Sequence, residues 1–198
     1  MRLFVALDLP ENAVQYIAGV QQRLRSQLAA DRWQPLSNLH LTLHFLGDVD
    51  EKWLPALRED LDIVSAIIPP FSLQTGRLGA FPDAERPRVL WLGLGGQTDR
   101  LKQLHLLLGK RFELHPGVSF DRKPYRPHIT LARGPHAADG GLPLSEWNQD
   151  VLAQHPPRWQ VTSMHLFRSE LRPGGAVHTV LHTSTFGKDH GKKQAPDE

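Results

Sequence analysis

The stretch HLTLHFLG at positions 40–47 is echoed by HITLAR at 128–133. Both write His, an apolar residue, Thr and a second apolar residue, 88 positions apart. The alternation fixes what each stretch can become. A β-strand sends successive side chains to opposite faces, so residues i and i+2 share one. His40, Thr42 and His44 then lie on one face of the first strand, with Leu41, Leu43 and Phe45 opposite them. His128 and Thr130 share a face of the second, opposite Ile129 and Leu131. The apolar faces call for a core. The His/Thr faces must meet water, a ligand or another polar surface, because burying unpartnered polar groups is costly.

The rest of the chain supplies a frame for these two strands. Leu3–Leu7 reads as a first strand, and Pro10 suits the start of a helix over 12–28, where Val14, Ile17, Val20, Leu24 and Leu28 recur every three or four residues. A second helix is expected over 51–67 and a third over 98–114, with Thr98 as its N-cap. Strands are expected over 71–81 and 88–94, joined by FPDAERP, and then over 160–171 and 176–186, joined by a turn at RPGG. A short helix is expected near 145–154, and the polar tail 187–198 reads as disordered. This order of elements predicts an α+β fold: two antiparallel-rich sheet lobes in a pseudo-two-fold relation around a central groove, with helices outside. Residues 1–186 are expected to form one domain of two such lobes.

Charge and composition narrow the partners. Lys and Arg outnumber Asp and Glu by only 23 to 21, which is not the basic excess of a protein that grips long duplexes by charge alone. A short or terminal piece of nucleic acid fits better. There is no cysteine, so disulfides and thiolate chemistry are excluded. The apolar run at Leu3–Leu7 is too short for a membrane span, and no basic segment precedes a long apolar one. A cytoplasmic protein with no membrane association is expected.

Two imidazoles and two hydroxyls brought together suit metal-free cleavage of a phosphoester. Displacement at phosphorus is in line, so base and acid must stand on opposite sides of the reacting group. Histidines on two separate strands meet that need. A reference pKa of about 6.5 lets one be neutral while the other is protonated. Threonine hydroxyls donate to the non-bridging oxygens, where charge builds in the transition state. His40 and His44 cannot share a metal ion on a strand, where they stand ~13 Å apart.

With these motifs in order, and with MRLFVALDLP, GAFPDAERPRVLWLGL and LFRSELRPGGAVHTVL around them, the chain resembles the 2H phosphoesterase superfamily. The flanks look like its RNA 2′,3′-cyclic phosphodiesterase branch, the 2′–5′ RNA ligase group. The resemblance implies hydrolysis of a nucleoside 2′,3′-cyclic phosphate at an RNA end to a 2′-phosphate, by a monomer without cofactor. It implies that His40 donates a proton to the departing 3′ oxygen, that His128 activates water, and that Thr42 and Thr130 hold the phosphate. Run in reverse, the same site would join ends through a 2′–5′ bond. The motif pattern itself is nearly symmetric and allows the two histidines to exchange roles.

Four further residues are candidate substrate contacts. His44 faces the groove by parity. Arg133 matches an Arg after the second motif in relatives, although strict alternation would aim it at the core unless the strand bulges first. Trp33 and Tyr125, in loops before the motif strands, are placed to stack on a base, with packing as the alternative. Phe45 and Trp91 are expected in the core, and His105 at a helix surface or edge. Three rivals stand beside this reading: a module that binds RNA ends with little turnover, an esterase for another small phosphoester, and a metal-dependent phosphodiesterase.

Overall fold

The computed structural model describes residues 1–137, 141–150, 152 and 155–187. Nine strands and four α-helices are formed among them. β1 (Arg2–Leu7) leads into α1 (Glu11–Arg25), β2 (Ala29–Trp33) and β3 (Leu41–Asp48). α2 (Leu54–Ile67) precedes β4 (Phe71–Phe81) and β5 (Val89–Gly96). α3 (Thr98–Phe112) and β6 (Ile129–His136) follow, then α4 (Leu144–Asp150), β7 (Arg158–Val161), β8 (Ser163–Arg172) and β9 (Gly175–Thr185). The expected tail 187–198, apart from Gly187, and the end of the expected helix beyond 150, apart from 152, lie outside the described residues.

All pairings are antiparallel, in two sheets. One has the order β3-β1-β8-β9, the other β2-β6-β5-β4-β7. The motif strands β3 and β6 thus belong to different sheets, as the α+β expectation requires. Leu57 and Leu61 of α2 and Leu101, Leu104 and Leu108 of α3 bury their stripe with Leu3, Val5, Leu41 and Leu46 of the first sheet. Ile17, Val20 and Leu24 of α1 pack with Leu90, Leu92, Ile129 and Leu131 of the second. Each fully buried Leu or Ile in these stripes contributes about 2 kcal/mol. No described helix is long and apolar enough to cross a membrane.

Three local expectations are corrected. Residues 29–33 form an edge strand, β2, beside β6, so Trp33 is a strand residue rather than a loop residue. The expected single strand over 160–171 is two: β7 extends the five-stranded sheet beside β4, and the chain crosses at Thr162 to enter the other sheet as β8. Thr98 is the first residue of α3, not its cap. The preceding Gln97 accepts the Ser72 N–H on its side chain at 2.8 Å and donates its own N–H to the Ser72 carbonyl at 2.8 Å, which anchors the helix start to β4.

Candidate active site

The strand alternation breaks at the same point in both motifs. On β3, Thr42 stands opposite Ala6 and His44 opposite Val5, so Leu43 is an extra, bulged residue. On β6, Thr130 stands opposite Trp91 and Ala132 opposite Leu90, so Leu131 is the extra one. A bulge inverts the parity of everything after it. His40, Thr42 and Phe45 therefore share the polar side of β3, and His128, Thr130 and Arg133 share that of β6. Leu43, His44, Leu131 and Ala132 turn inward and are buried. The two halves carry the same local structure.

Hydrogen bonds fix both bulges. The Leu131 carbonyl accepts the Gln34 N–H at 2.9 Å and the buried Gln21 amide at 3.0 Å. The Thr42 carbonyl accepts the Tyr125 hydroxyl at 3.0 Å. Gln34 also reaches the other motif, because its side-chain amide donates to the Asn38 carbonyl at 3.0 Å. That carbonyl accepts His40 Nδ1–H at 2.7 Å. On the opposite strand His128 Nδ1–H donates to the Arg126 carbonyl, also at 2.7 Å. Each motif histidine thus gives Nδ1–H to the backbone two residues upstream. A carbonyl can only accept, so the tautomer is set and Nε2 is left for chemistry.

His40, Thr42, His128 and Thr130 converge on one groove of about 470 Å³ between the sheets. Its lining includes Arg2, Arg32 and Arg133 and, among the described residues, no carboxylate. The imidazoles rest on aromatic beds. His40 lies 4.9 Å from the Phe4 ring and 5.5 Å from His178. His128 meets Phe81 edge-on at 4.9 Å and Trp91 at 6.2 Å. Trp91 can lie where it does because residue 79 is glycine, and any side chain there would run into the indole.

This setting makes both histidines poor proton acceptors. Burial lowers the His40 pKa to about 4, helped by the positive charges of His178, His128 and Arg133 and opposed by the Asn38 carbonyl. Burial also lowers His128, with Arg133 adding to it and the Arg126 carbonyl opposing. Thr42 and Thr130 line the same groove as the two imidazoles, so the arrangement offers hydroxyls to bind an anion and two groups able to move protons.

The other candidates divide. Arg133 does line the groove, and the Leu131 bulge is what turns it there. His44 does not. It is 3% exposed, stacks on the His105 ring at 4.0 Å, and donates Nε2–H to the His105 carbonyl at 2.8 Å. Phe45 takes the groove place expected for His44 and is 55% exposed, not in the core. Tyr125 stacks on the other face of His105 at 4.2 Å and lines a neighbouring hollow, so its contact is with the motif strand. His105 is the middle of a three-ring stack rather than a free surface residue. Trp33 packs under Arg25 and into the α1 core, and is absent from the groove. His178 was not singled out by spacing, yet it lines the groove from β9. The only sequence signal for it is its place in a half-polar terminal strand. Among the described residues no three His, Asp or Glu side chains are grouped to hold a metal ion.

The chain matches known proteins along nearly its whole length. A family profile described as the 2′-5′ RNA ligase superfamily matches residues 9–173. A Thermotoga maritima protein named RNA 2′,3′-cyclic phosphodiesterase is 33% identical over 187 residues, which cover 94% of this chain and 96% of that protein. Among solved structures, a Thermus thermophilus protein superposes with a TM-score of 0.76 at 29% identity, covering 96% of this chain and 100% of that one. Escherichia coli LigT complexed with 3′-AMP superposes with a TM-score of 0.71 at 27% identity, covering 94% and 98%.

Proposed function

The chain belongs to the 2′-5′ RNA ligase superfamily, and from that premise we propose that it hydrolyses RNA or nucleoside 2′,3′-cyclic phosphate ends to 2′-phosphates by two-histidine acid–base catalysis. The observation that carries this reading is the pairing of two alike His/Thr sets, each on its own sheet, across one cationic groove. The name of the Thermotoga relative and the 3′-AMP bound to LigT point to the same substrate class.

The cyclic phosphate enters with its non-bridging oxygens toward the Thr42 and Thr130 hydroxyls. His128 Nε2 takes a proton from water as the water oxygen attacks phosphorus. The bond from phosphorus to the 3′ oxygen breaks on the far side, and His40 Nε2–H protonates that oxygen. The product carries a 2′-phosphate and a free 3′-hydroxyl, and a proton transfer between the two histidines through solvent resets the site. Without an anion beside it, His40 is too acidic to hold its proton at neutral pH. The anionic phosphate corrects this, since a nearby negative charge favours the protonated imidazole. Substrate thus prepares its own acid. Hydroxyl donation to the charge that builds on phosphate oxygens supplies the electrostatic part of the rate. No step requires a metal or a second copy of the chain. With the 5′-hydroxyl of a second RNA in place of the attacking water, the same groups would join ends through a 2′–5′ bond, and water competes as the far more abundant nucleophile.

The test is product identity. An RNA oligonucleotide ending in 2′,3′-cyclic phosphate is incubated with the protein and its end group is determined. A 2′-phosphate supports the assignment. A 3′-phosphate would mean that the leaving oxygen is the 2′ one. No turnover by protein that still binds the RNA end would favour a binding module.

A further inference from the structure

The two motif strands belong to different sheets, so among the described residues no strand ladder fixes the distance between His40 and His128. Side chains cross the gap instead. Gln34 takes one path: its N–H holds the Leu131 carbonyl at the second bulge, and its amide holds the Asn38 carbonyl that orients His40. Tyr125 takes the converse path. Its hydroxyl donates to the Thr42 carbonyl at the first bulge, at 3.0 Å. One residue further on, the Arg126 carbonyl accepts His128 Nδ1–H at 2.7 Å and orients that ring. Each of these two residues joins the bulge of one motif to the histidine of the other.

The segment that carries Tyr125 has little else to hold it. Residues 121–127 form no helix or strand, and 121–124 and 126 are exposed. Among the described residues no backbone–backbone hydrogen bond is made from Phe120 to Pro127. The path from Tyr125 to His128 is nevertheless stiff. Pro124 and Pro127 fix their own φ and hold Lys123 and Arg126 extended. The Tyr125 ring is fixed too. It stacks on His105 at 4.2 Å with 6° between the planes, and His105 stacks on His44 at 4.0 Å with 10°. Burial pushes the hydroxyl well above the ordinary tyrosine range, so it remains a donor through neutral pH.

We propose that Tyr125 is a positioning residue for His128: its bond to the Thr42 carbonyl sets where the base stands relative to the strand whose threonine holds the phosphate. It lies outside the groove lining and acts through the strap 125–128. Misplacing a reacting group by about 1 Å costs as much as ~10²-fold in rate, so a strut that only aims the base acts on kcat rather than on binding. This rests on the two-histidine phosphodiesterase reading above.

Tyr125→Phe keeps the ring in its stack and removes only the hydroxyl. With an RNA oligonucleotide ending in 2′,3′-cyclic phosphate, kcat is expected to fall about tenfold, the scale of one hydrogen bond, with KM within about twofold of wild type. In a His128→Ala background, where there is no base to aim, the same substitution is expected to change the rate by less than about twofold. Pro127→Ala leaves the hydroxyl bond in place and slackens the strap, and is expected to show the same pattern. A purely structural role gives other results: lower urea stability with kcat unchanged, or an equal loss in both backgrounds. Either overturns the proposal, as does a rise in KM alone. If Tyr125→Phe does not fold, Pro127→Ala decides the matter. Wild-type turnover matched by Tyr125→Phe removes only the strut. No turnover by the wild type removes the phosphodiesterase reading and the strut with it.

Discussion

His44 makes a sharp test of the bulge that organises the first motif. Without the bulge it would face the groove and titrate near 6.5. With it, the ring is 3% exposed between His105, Phe112 and Phe120, and burial lowers its pKa from 6.5 to about 4. The unfolded chain takes up a proton on this ring as pH falls through 6.5, and the folded chain does so only near 4. Stability from His44 is therefore full above 6.5, falls between 6.5 and 4, and falls no further below. Integrated from pH 7.5 to 5.0, the loss is about 2 kcal/mol, within a limit of about 3 kcal/mol set by the whole shift. His40, His128, His105 and His178 are lowered in the same sense, so the wild type loses more than this in total.

The perturbation is His44→Gln, whose amide can still donate to the His105 carbonyl but does not titrate. Loss of the ring contacts costs the variant about 1 kcal/mol at pH 7.5. Its acid loss is shallower by the His44 share, so at pH 5.0 it is expected to match or exceed the wild type in stability. Urea unfolding of both proteins at pH 7.5, 6.0 and 5.0 reads this directly. If the two lose equal stability between pH 7.5 and 5.0, His44 is not a buried neutral imidazole and the parity inversion is refuted.

Two further outcomes follow from the site. Because both motif histidines are lowered, the pH profile of kcat/KM, which reports the free enzyme, is expected to peak below about 6.5, and that of kcat at higher pH, where bound phosphate supports the protonated acid. Coincident profiles centred above pH 7 would contradict this. Gln34→Met removes the amide that holds the Asn38 carbonyl under His40. A drop of about tenfold in kcat/KM, about 1.4 kcal/mol, is expected from steady-state kinetics, with little change in urea stability.

The sequence made the repeated His/Thr pairs legible because alternation is a local property, and it made the sheets and the long helices legible because their apolar spacing is regular. It hid what depends on strand partners. The bulges at Leu43 and Leu131 have no signature of their own, since each extra residue is an ordinary leucine held by distant groups, Gln21 and Gln34 in one case and Tyr125 beside the other. Strict alternation therefore placed His44 and Phe45 on the wrong faces, while the need for a bulge before Arg133 could be stated but not located. The split of β7 from β8 did leave a trace: buried Trp159 and Val161 are followed by buried Met164 and Leu166, a slip of one residue in the alternation. β2 was missed because AADRW is an edge strand with little apolar pattern.

The central claim is that His40 and His128 act as one acid–base pair across the groove. The measurement is single-turnover hydrolysis of an RNA oligonucleotide with a 2′,3′-cyclic phosphate end, in EDTA, by wild type, His40→Ala, His128→Ala and the double variant. The two-histidine mechanism predicts full wild-type activity in EDTA and losses of ~10²–10⁴ for each single variant. The double variant should be little slower than the worse single one, because groups that act as a unit are not additive. Activity abolished by EDTA, or retained within about tenfold by either single variant, would contradict it.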